Sequence, residues 1–297
     1  MVQAQLKPRR AVHDWPFQVT PLHPALGCEI KGITLEQAVS PAMFANVYEA
    51  FLEYELILFR DVDLPPALQV AFAKNFGEVN VHVLSQYHGY GHPEIYMLSN
   101  KDENGKPSGK HPDRGTLYWH TDGSWRDRTG QATMMYSEEL PPSGQGGETQ
   151  FADMYAGYEL LPADIKKKIE GKNAIHNFTF SRQRRHGEDP LTAEQSAKVP
   201  PVAHPIVRTH PETGRKAIFL GDHAEYIEGM DYDEGRALIE EINVLTTPPS
   251  NVYSHVWQPR ECMVWDNRCT LHRATGFDEA RYIRVMRRCT ITGDRPY

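Results

Sequence analysis

The stretch TLYWHTDGSW (Thr116–Trp125) sets a histidine and an aspartate two residues apart among good strand formers. In a strand, residues i and i+2 face the same side. The spacing therefore predicts Thr116, Tyr118, His120 and Asp122 along one face, with Gly123 letting the chain turn away. A neutral imidazole and a carboxylate at one strand end suit a hard to borderline divalent metal. The competing reading is a surface histidine hydrogen-bonded to its neighbour. The chain holds 14 histidines, enough for chance alone to supply about one H-x-D at ordinary composition. A second instance, His111-Pro112-Asp113, sits in GKHPDRG, where proline, glycine and charge signal a turn. There the two side chains are not expected to share a direction.

A third ligand candidate is His272, in VWDNRCTLHRATGF, which follows an apolar strand and the polar turn Asp266-Asn267-Arg268. Two histidines and one carboxylate make the facial triad of non-haem Fe(II) oxygenases, with three positions left open. A 2-oxo acid can chelate through two of them and O2 can take the third. The far carboxylate of such an acid is best met by arginine, whose planar fork gives two hydrogen bonds. RYIRVMRRCTITGD supplies candidates. In a strand Arg284, Met286, Arg288 and Thr290 share one face, and Arg287 points the other way. Two inward arginines are costly to bury without anions. The alternative is an exposed basic strand, with Arg281 and Arg287 as further surface charges. Cys269, three residues before His272, hints at zinc, but no second Cys/His pair supports that.

These residues need a scaffold. Ser40-Pro41 reads as an N-cap and first-turn proline, and Phe44, Val47, Tyr48 and Phe51 follow at helical spacing. A second helix is predicted over Pro66–Phe76, ended by Gly77. Short strands are predicted at Leu56–Phe59, Ile95–Leu98, Thr133–Tyr136, Ile175–Phe180, Lys216–Leu220, Val252–Trp257, Met263–Trp265 and Tyr282–Thr292. Helices are predicted at Tyr155–Leu161, Ala163–Ile169 and Asp233–Leu245. Strands and helices do not alternate regularly, which argues against a doubly wound parallel sheet. A mostly β jelly roll with helices outside fits better. The boundaries expected are a loose tail over 1–15 and one domain over 16–297, with loop or lid insertions near 80–114 and 181–200. The polar stretch Ser181–Lys198 cannot supply a core and reads as a lid.

A net charge of −7 argues against a general nucleic-acid or membrane-surface binder, though not against a small basic pocket. The longest apolar runs are too short to span a bilayer, and the start shows no apolar signal core. Four cysteines without a C-x-x-C pair read as reduced, buried thiols in a cytoplasmic protein.

The sequence also resembles the Fe(II)/2-oxoglutarate dioxygenases of the taurine dioxygenase and 2,4-dichlorophenoxyacetate dioxygenase type. The likeness rests on WHTDGSW, PPSGQGGETQFADMYAGYELLP, TGRKAIFLGDHAEYIEGM, VWDNRCTLHRATGF and RVMRRCTITGD, in family order from about Leu56 onward. It is strongest toward the aryloxyacetate-cleaving members. The resemblance implies a double-stranded β-helix, a form of jelly roll. It implies His120, Asp122 and His272 as iron ligands, with Arg284 and Thr149 on the distal carboxylate of 2-oxoglutarate. It implies Arg288 on the substrate's own anionic group, with His82 and Thr116 lining the substrate pocket. Thr116 departs from the asparagine of relatives, and the His272–Arg284 spacing is one residue longer than theirs. The implied reaction consumes O2 and 2-oxoglutarate, releases succinate and CO2, and hydroxylates a small anionic substrate. For an aryloxyalkanoate the product collapses to a phenol and a 2-oxo acid. The alternatives are a sulfonate or alkyl sulfate substrate, a zinc hydrolase, or a non-catalytic metal-binding jelly roll. The resemblance further implies a homo-oligomer, a dimer or tetramer.

Overall fold

The computed structural model describes residues 13–82, 85–184 and 191–297. Its frame is a nine-stranded sheet. Reading across, Gln18–Pro21, Cys28–Lys31, Leu56–Phe59, Cys262–Asp266, Gly130–Glu139, Val285–Thr292, His92–Ser99 and His88–Gly89 lie side by side, and Val79–Asn80 pairs off Val285–Thr292. Among the described residues only Cys28–Lys31 and Leu56–Phe59 run parallel. A three-stranded antiparallel sheet, Val252–His255, Thr149–Asp153 and Thr270–Ala274, faces it. This is a mostly β jelly roll.

The apolar run Leu56-Ile57-Leu58-Phe59 shows why the large sheet reads as continuous hydrophobicity. Leu56 and Leu58 point between the sheets, against Phe151, Trp265 and Met286. Ile57 and Phe59 point outward, against the helices Pro41–Tyr54 and Pro66–Phe76. A strand covered on both faces has no polar side to alternate with. On the far side of the small sheet, Ala152 and Leu271 pack with side chains of the helices Met154–Leu160, Ala163–Ile169 and Tyr232–Thr246.

Several expectations are corrected. Ser40 precedes its helix but makes no side-chain cap; its hydroxyl donates to the Gln37 carbonyl. The segment Ile175–Phe180 is split: the strand ends at His176, and a helix runs Phe178–Arg184. Asn177 drives the switch, its Oδ1 accepting from the N–H of Thr179 and Phe180. Ser181–Lys198 is therefore not one open loop. It begins inside that helix and holds a second one, Ala193–Ala197, capped reciprocally by Thr192 and Gln195. Of the expected lid, 185–190 lie outside the described residues, as do 1–12 of the expected tail. The remainder of that tail is packed: His13 stacks on Trp15, whose indole N–H donates to Glu49.

Candidate metal centre and substrate cavity

The two candidate histidines are neighbours across a sheet edge. His120 and His272 form an antiparallel bridge, exchanging N–H···O bonds of 3.0 and 2.8 Å. Directly opposed residues of an antiparallel pair put their side chains on one face. The rings accordingly lie 4.2 Å apart between centroids. Asp122 completes the group: its Oδ1 is 3.9 Å from His120 Nε2 and its Oδ2 3.7 Å from His272 Nε2. All three ligand atoms lie within 4.8 Å of one another and all three residues are buried.

The expected strand over Thr116–Asp122 is not there. Asp113 caps a 3-10 turn at Arg114–Leu117, and Tyr118 is exposed. Strand propensity in Thr-Leu-Tyr-Trp loses to the turn signal of Asp-Arg-Gly just before it. His120 is extended only through its bridge to His272.

The donor set fits a divalent metal. His120 Nδ1 sits 2.8 Å from the Tyr118 carbonyl, so Nδ1 carries the proton and Nε2 presents a lone pair. Burial, then His120, pushes His272 well below the ordinary histidine range, so it is neutral. Burial raises the Asp122 carboxyl, but Arg288, the two histidines and the Thr133 hydroxyl more than offset it and hold it well below the usual range. With His272 neutral, Arg288 is the cation that matters there. Nitrogen–oxygen gaps of 3.7 and 3.9 Å are too long for hydrogen bonds. They leave room for an ion about 2.1 Å from each donor. His272 Nδ1 is buried without an acceptor among the described residues, so its ring is held by packing against Trp265 and Phe151.

Residues distant in sequence hold the aspartate. Thr133 donates to Asp122 Oδ2 at 2.6 Å, and Asn267 Nδ2 donates to the Thr133 hydroxyl at 2.9 Å. The Thr121 hydroxyl and the Trp265 indole fix Asn267 in turn. The turn carrying Asn267 is itself locked by Arg268 on Asp266, with contacts of 2.9 and 2.6 Å. Cys269 therefore meets His210 and Asp266 rather than His272, and Asp266 is committed to Arg268.

The three arginines near the C-terminus are not a surface strand: Arg284, Arg287 and Arg288 are only 5%, 3% and 8% exposed. They take three roles. Arg287 pairs with Glu138 at 3.0 Å and donates to the Leu64 carbonyl. Arg288 reaches Asp122 Oδ1 at 3.4 Å and lies over the Tyr96 ring. Arg284 directly precedes the strand Val285–Thr292, whose register against Gly130–Glu139 shifts after Val285. Its Nε donates to the Gly147 carbonyl at 3.3 Å. No carboxylate pairs with Arg284 among the described residues, and burial pushes its pKa down to about 10. Gly147 lies two residues before Thr149, whose Oγ1 accepts from the Trp257 indole and keeps its own proton to donate.

A cavity of about 720 Å³ opens over His120 and Asp122. Arg288, His82 and Thr116 line it, whereas Arg284 and Thr149 lie outside its wall. Burial, then Arg288 and Arg126, pushes His82 down to about 3, so it faces the cavity as a neutral ring. The Thr116 hydroxyl is spent on the Asp113 carbonyl at 2.7 Å. His111 and Asp113, read from sequence as a mere turn, also reach this wall. Sequence reasoning missed Thr133 and Asn267. It also missed the aromatic walls: Tyr96 with His82 and Tyr87, and Trp125 with Phe178 at 4.6 Å between centroids.

The chain matches the family described as "Taurine catabolism dioxygenase TauD, TfdA family" over residues 18–290. It is 34% identical over 282 residues to an alpha-ketoglutarate-dependent 2,4-dichlorophenoxyacetate dioxygenase of Burkholderia sp. (strain RASC), covering 92% of this chain and 94% of the relative. It is 31% identical over 283 residues to an (S)-phenoxypropionate/alpha-ketoglutarate-dioxygenase of Sphingobium herbicidovorans, covering 94% and 96%. Among solved structures, AAD-2 in complex with Mn(II) and N-oxalylglycine superposes with a TM-score of 0.80 at 30% identity, over 94% of this chain and 98% of that one.

Proposed function

From the premise that the chain belongs to the taurine catabolism dioxygenase (TauD, TfdA) family, we propose that it hydroxylates an aryloxyalkanoate beside its ether oxygen, and that the residues above divide the work. As a member it is a 2-oxoglutarate-dependent dioxygenase, an oxidoreductase using Fe(II), 2-oxoglutarate and O2. The observation that carries the division of labour is the convergence of His120, Asp122 and His272 beneath a cavity with Arg288 in its wall.

His120, Asp122 and His272 would hold the iron, which when bound supplies the oxygen activation that no side chain can. Arg284, a buried cation that pairs with no carboxylate among the described residues, takes the distal carboxylate of 2-oxoglutarate, and the Thr149 hydroxyl donates to it. Arg288 takes the substrate carboxylate and holds the adjoining carbon over the triad. His82, held neutral, can donate or accept a hydrogen bond at the same head group. Thr116 offers its methyl group, which suits an apolar part of the substrate. The aromatic walls suit an aryl body. Hydroxylation beside the ether oxygen gives a hemiacetal, which collapses to a phenol and a 2-oxo acid.

A sulfonate or alkyl sulfate is the second reading, because one arginine serves either anion. A Pseudomonas putida alpha-ketoglutarate-dependent sulfate ester dioxygenase is 27% identical over 293 residues. Of the stretch expected as a lid, the described residues Arg182, Leu191, Thr192 and Gln195 lie on the cavity wall and belong to the aryloxyalkanoate reading as its cover. Four free, buried cysteines suit a reducing cytoplasm. A homo-oligomer is what the family resemblance implies, and light scattering on the purified protein checks it.

The test is succinate release across aryloxyacetates, sulfonates and sulfates. Aryloxyacetate-dependent succinate with stoichiometric phenol supports the reading. Equal, uncoupled turnover with every compound would sink it.

A further inference from the structure

We propose that Arg126 is a second anion-binding position in this cavity, so that the preferred substrate is an aryl compound carrying a second anionic group remote from the Arg288 end. The inference rests on the aryloxyalkanoate reading and names its substrate more narrowly.

Arg126 lies on the cavity wall. Its guanidinium sits 4.5 Å over the Trp125 ring, and Trp125 is braced by Phe178. Its backbone is fixed at both ends: the N–H donates to the Gly123 carbonyl, and the carbonyl lies 2.8 Å from Nε2 of buried His204. The group is therefore aimed rather than free to wander into solvent.

No carboxylate pairs with Arg126 among the described residues. The adjacent Asp127 is taken by Arg295. Asp113, on the same cavity wall, accepts from the Gly115 N–H with Oδ1 at 2.9 Å and forms no ion pair with Arg126 among the described residues. Other arginines have carboxylate partners: Arg128 pairs with Glu78 and Arg236 with Glu240. Burial lowers the Arg126 pKa and no acidic group opposes that. A half-buried guanidinium without an anion is costly unless a ligand supplies one.

The two cations frame one space. Both line the same cavity as His82, and the charge of each lowers its pKa. Each is backed by a ring, Arg288 by Tyr96 and Arg126 by Trp125. A flat aryl body with one anion for each arginine matches that arrangement. The cavity, about 720 Å³, is in the upper part of the roughly 300–1,000 Å³ range of small-molecule sites.

The test pairs 4-carboxyphenoxyacetate with its neutral isostere 4-carbamoylphenoxyacetate, on the parent enzyme, Arg126→Met and Arg126→Lys. Turnover is followed by succinate, and equilibrium binding by calorimetry on the anaerobic enzyme loaded with Fe(II) and 2-oxoglutarate. The parent is expected to favour the dianion by about tenfold or more, the scale of one charge-assisted contact. Arg126→Met should erase that ratio through KM with kcat kept, and Arg126→Lys should restore part of it. An intact charge-transfer band in each variant shows that the iron site is still formed. No preference in the parent, or equal losses for both isosteres in Arg126→Met, overturns the proposal. If no aryloxyacetate is turned over, the aryloxyalkanoate reading fails, and the binding ratio alone confirms or overturns Arg126.

Discussion

Thr133 donates its hydroxyl proton to Asp122 Oδ2 at 2.6 Å, tying the one carboxylate of the triad to the middle of the large sheet. The Thr133 hydroxyl oxygen in turn accepts from Asn267 Nδ2, so the contact joins the metal centre to the turn that follows Cys262–Asp266.

Thr133→Val keeps the shape and removes this donor. Asp122 then loses orientation, and Asn267 Nδ2 loses its acceptor. Supporting groups of this kind typically tune metal affinity by about 10–100-fold. An anaerobic Fe(II) titration should show weakening of that order with the fold kept, and Thr133→Ser should recover most of it. Unchanged affinity in the valine variant would show the contact to be incidental.

Arg284 separates function from stability. It is a buried cation whose side chain, among the described residues, makes one hydrogen bond, from Nε to the Gly147 carbonyl. A buried charge without a partner is costly, so an apolar side chain of similar volume in its place does not lower stability. Arg284→Met should therefore hold or raise the apoprotein's Tm. It should also abolish the visible charge-transfer band formed with Fe(II) and 2-oxoglutarate without oxygen. A variant that keeps the band at the parent's 2-oxoglutarate concentration dependence would remove Arg284 from the anchor role.

Much of this was legible in the sequence, and the exceptions have physical causes. The helix Pro66–Phe76 and the strand Leu56–Phe59 were bounded correctly because proline, glycine and a two-sided apolar run punctuate them locally. His120, Asp122 and His272 were legible as a metal-type set. Thr133 and Asn267 were not. Their role depends on the register that sets Asp266 opposite Ala132 and Trp265 opposite Thr133, which no local pattern encodes. The turn at Arg114–Leu117 was missed because strand propensity outweighed a nearby Asp cap. Asn177 and the Thr192–Gln195 box were readable helix starts hidden inside segments judged by composition alone. Arg126 carried no signal, since only the fold shows that a cation lacks its anion.

The pH dependence has a definite sign. His176 is fully buried against His204 and Phe219, and burial, then His204, pushes it down to about 3. Because the folded pKa is depressed, its contribution to stability is complete above the unfolded value of about 6.5. It is lost as pH falls from there toward the folded value, since the unfolded chain takes a proton that the native state refuses. One such site contributes a slope of about 1.4 kcal/mol per pH unit inside that window. Urea unfolding of the apoprotein between pH 6 and 4 should show His176→Leu with a slope shallower by about that amount. A slope as steep as the parent's would assign the acid sensitivity elsewhere.

Gly130 tests how tightly the backbone beneath Asp122 is built. Its N–H donates to the Asp122 carbonyl at 3.1 Å, and a Cβ at this position would lie inside the contact distance of that same oxygen. The obstacle is backbone, so no flexible side chain can step aside. Inserting a methyl into such a site costs about 1–3 kcal/mol. The displacement also falls on the residue that carries the metal-binding carboxylate. Gly130→Ala should thus lower Tm and weaken Fe(II) binding together. Gly276→Ala is the matching control, because a Cβ there meets nothing within 4 Å. It should leave both properties close to the parent, with any stability gain coming from the less flexible unfolded chain. Gly130→Ala with parental Fe(II) affinity would mean that the Asp122 backbone tolerates movement without the triad opening, and that Thr133 and Arg288 alone set the carboxylate's position.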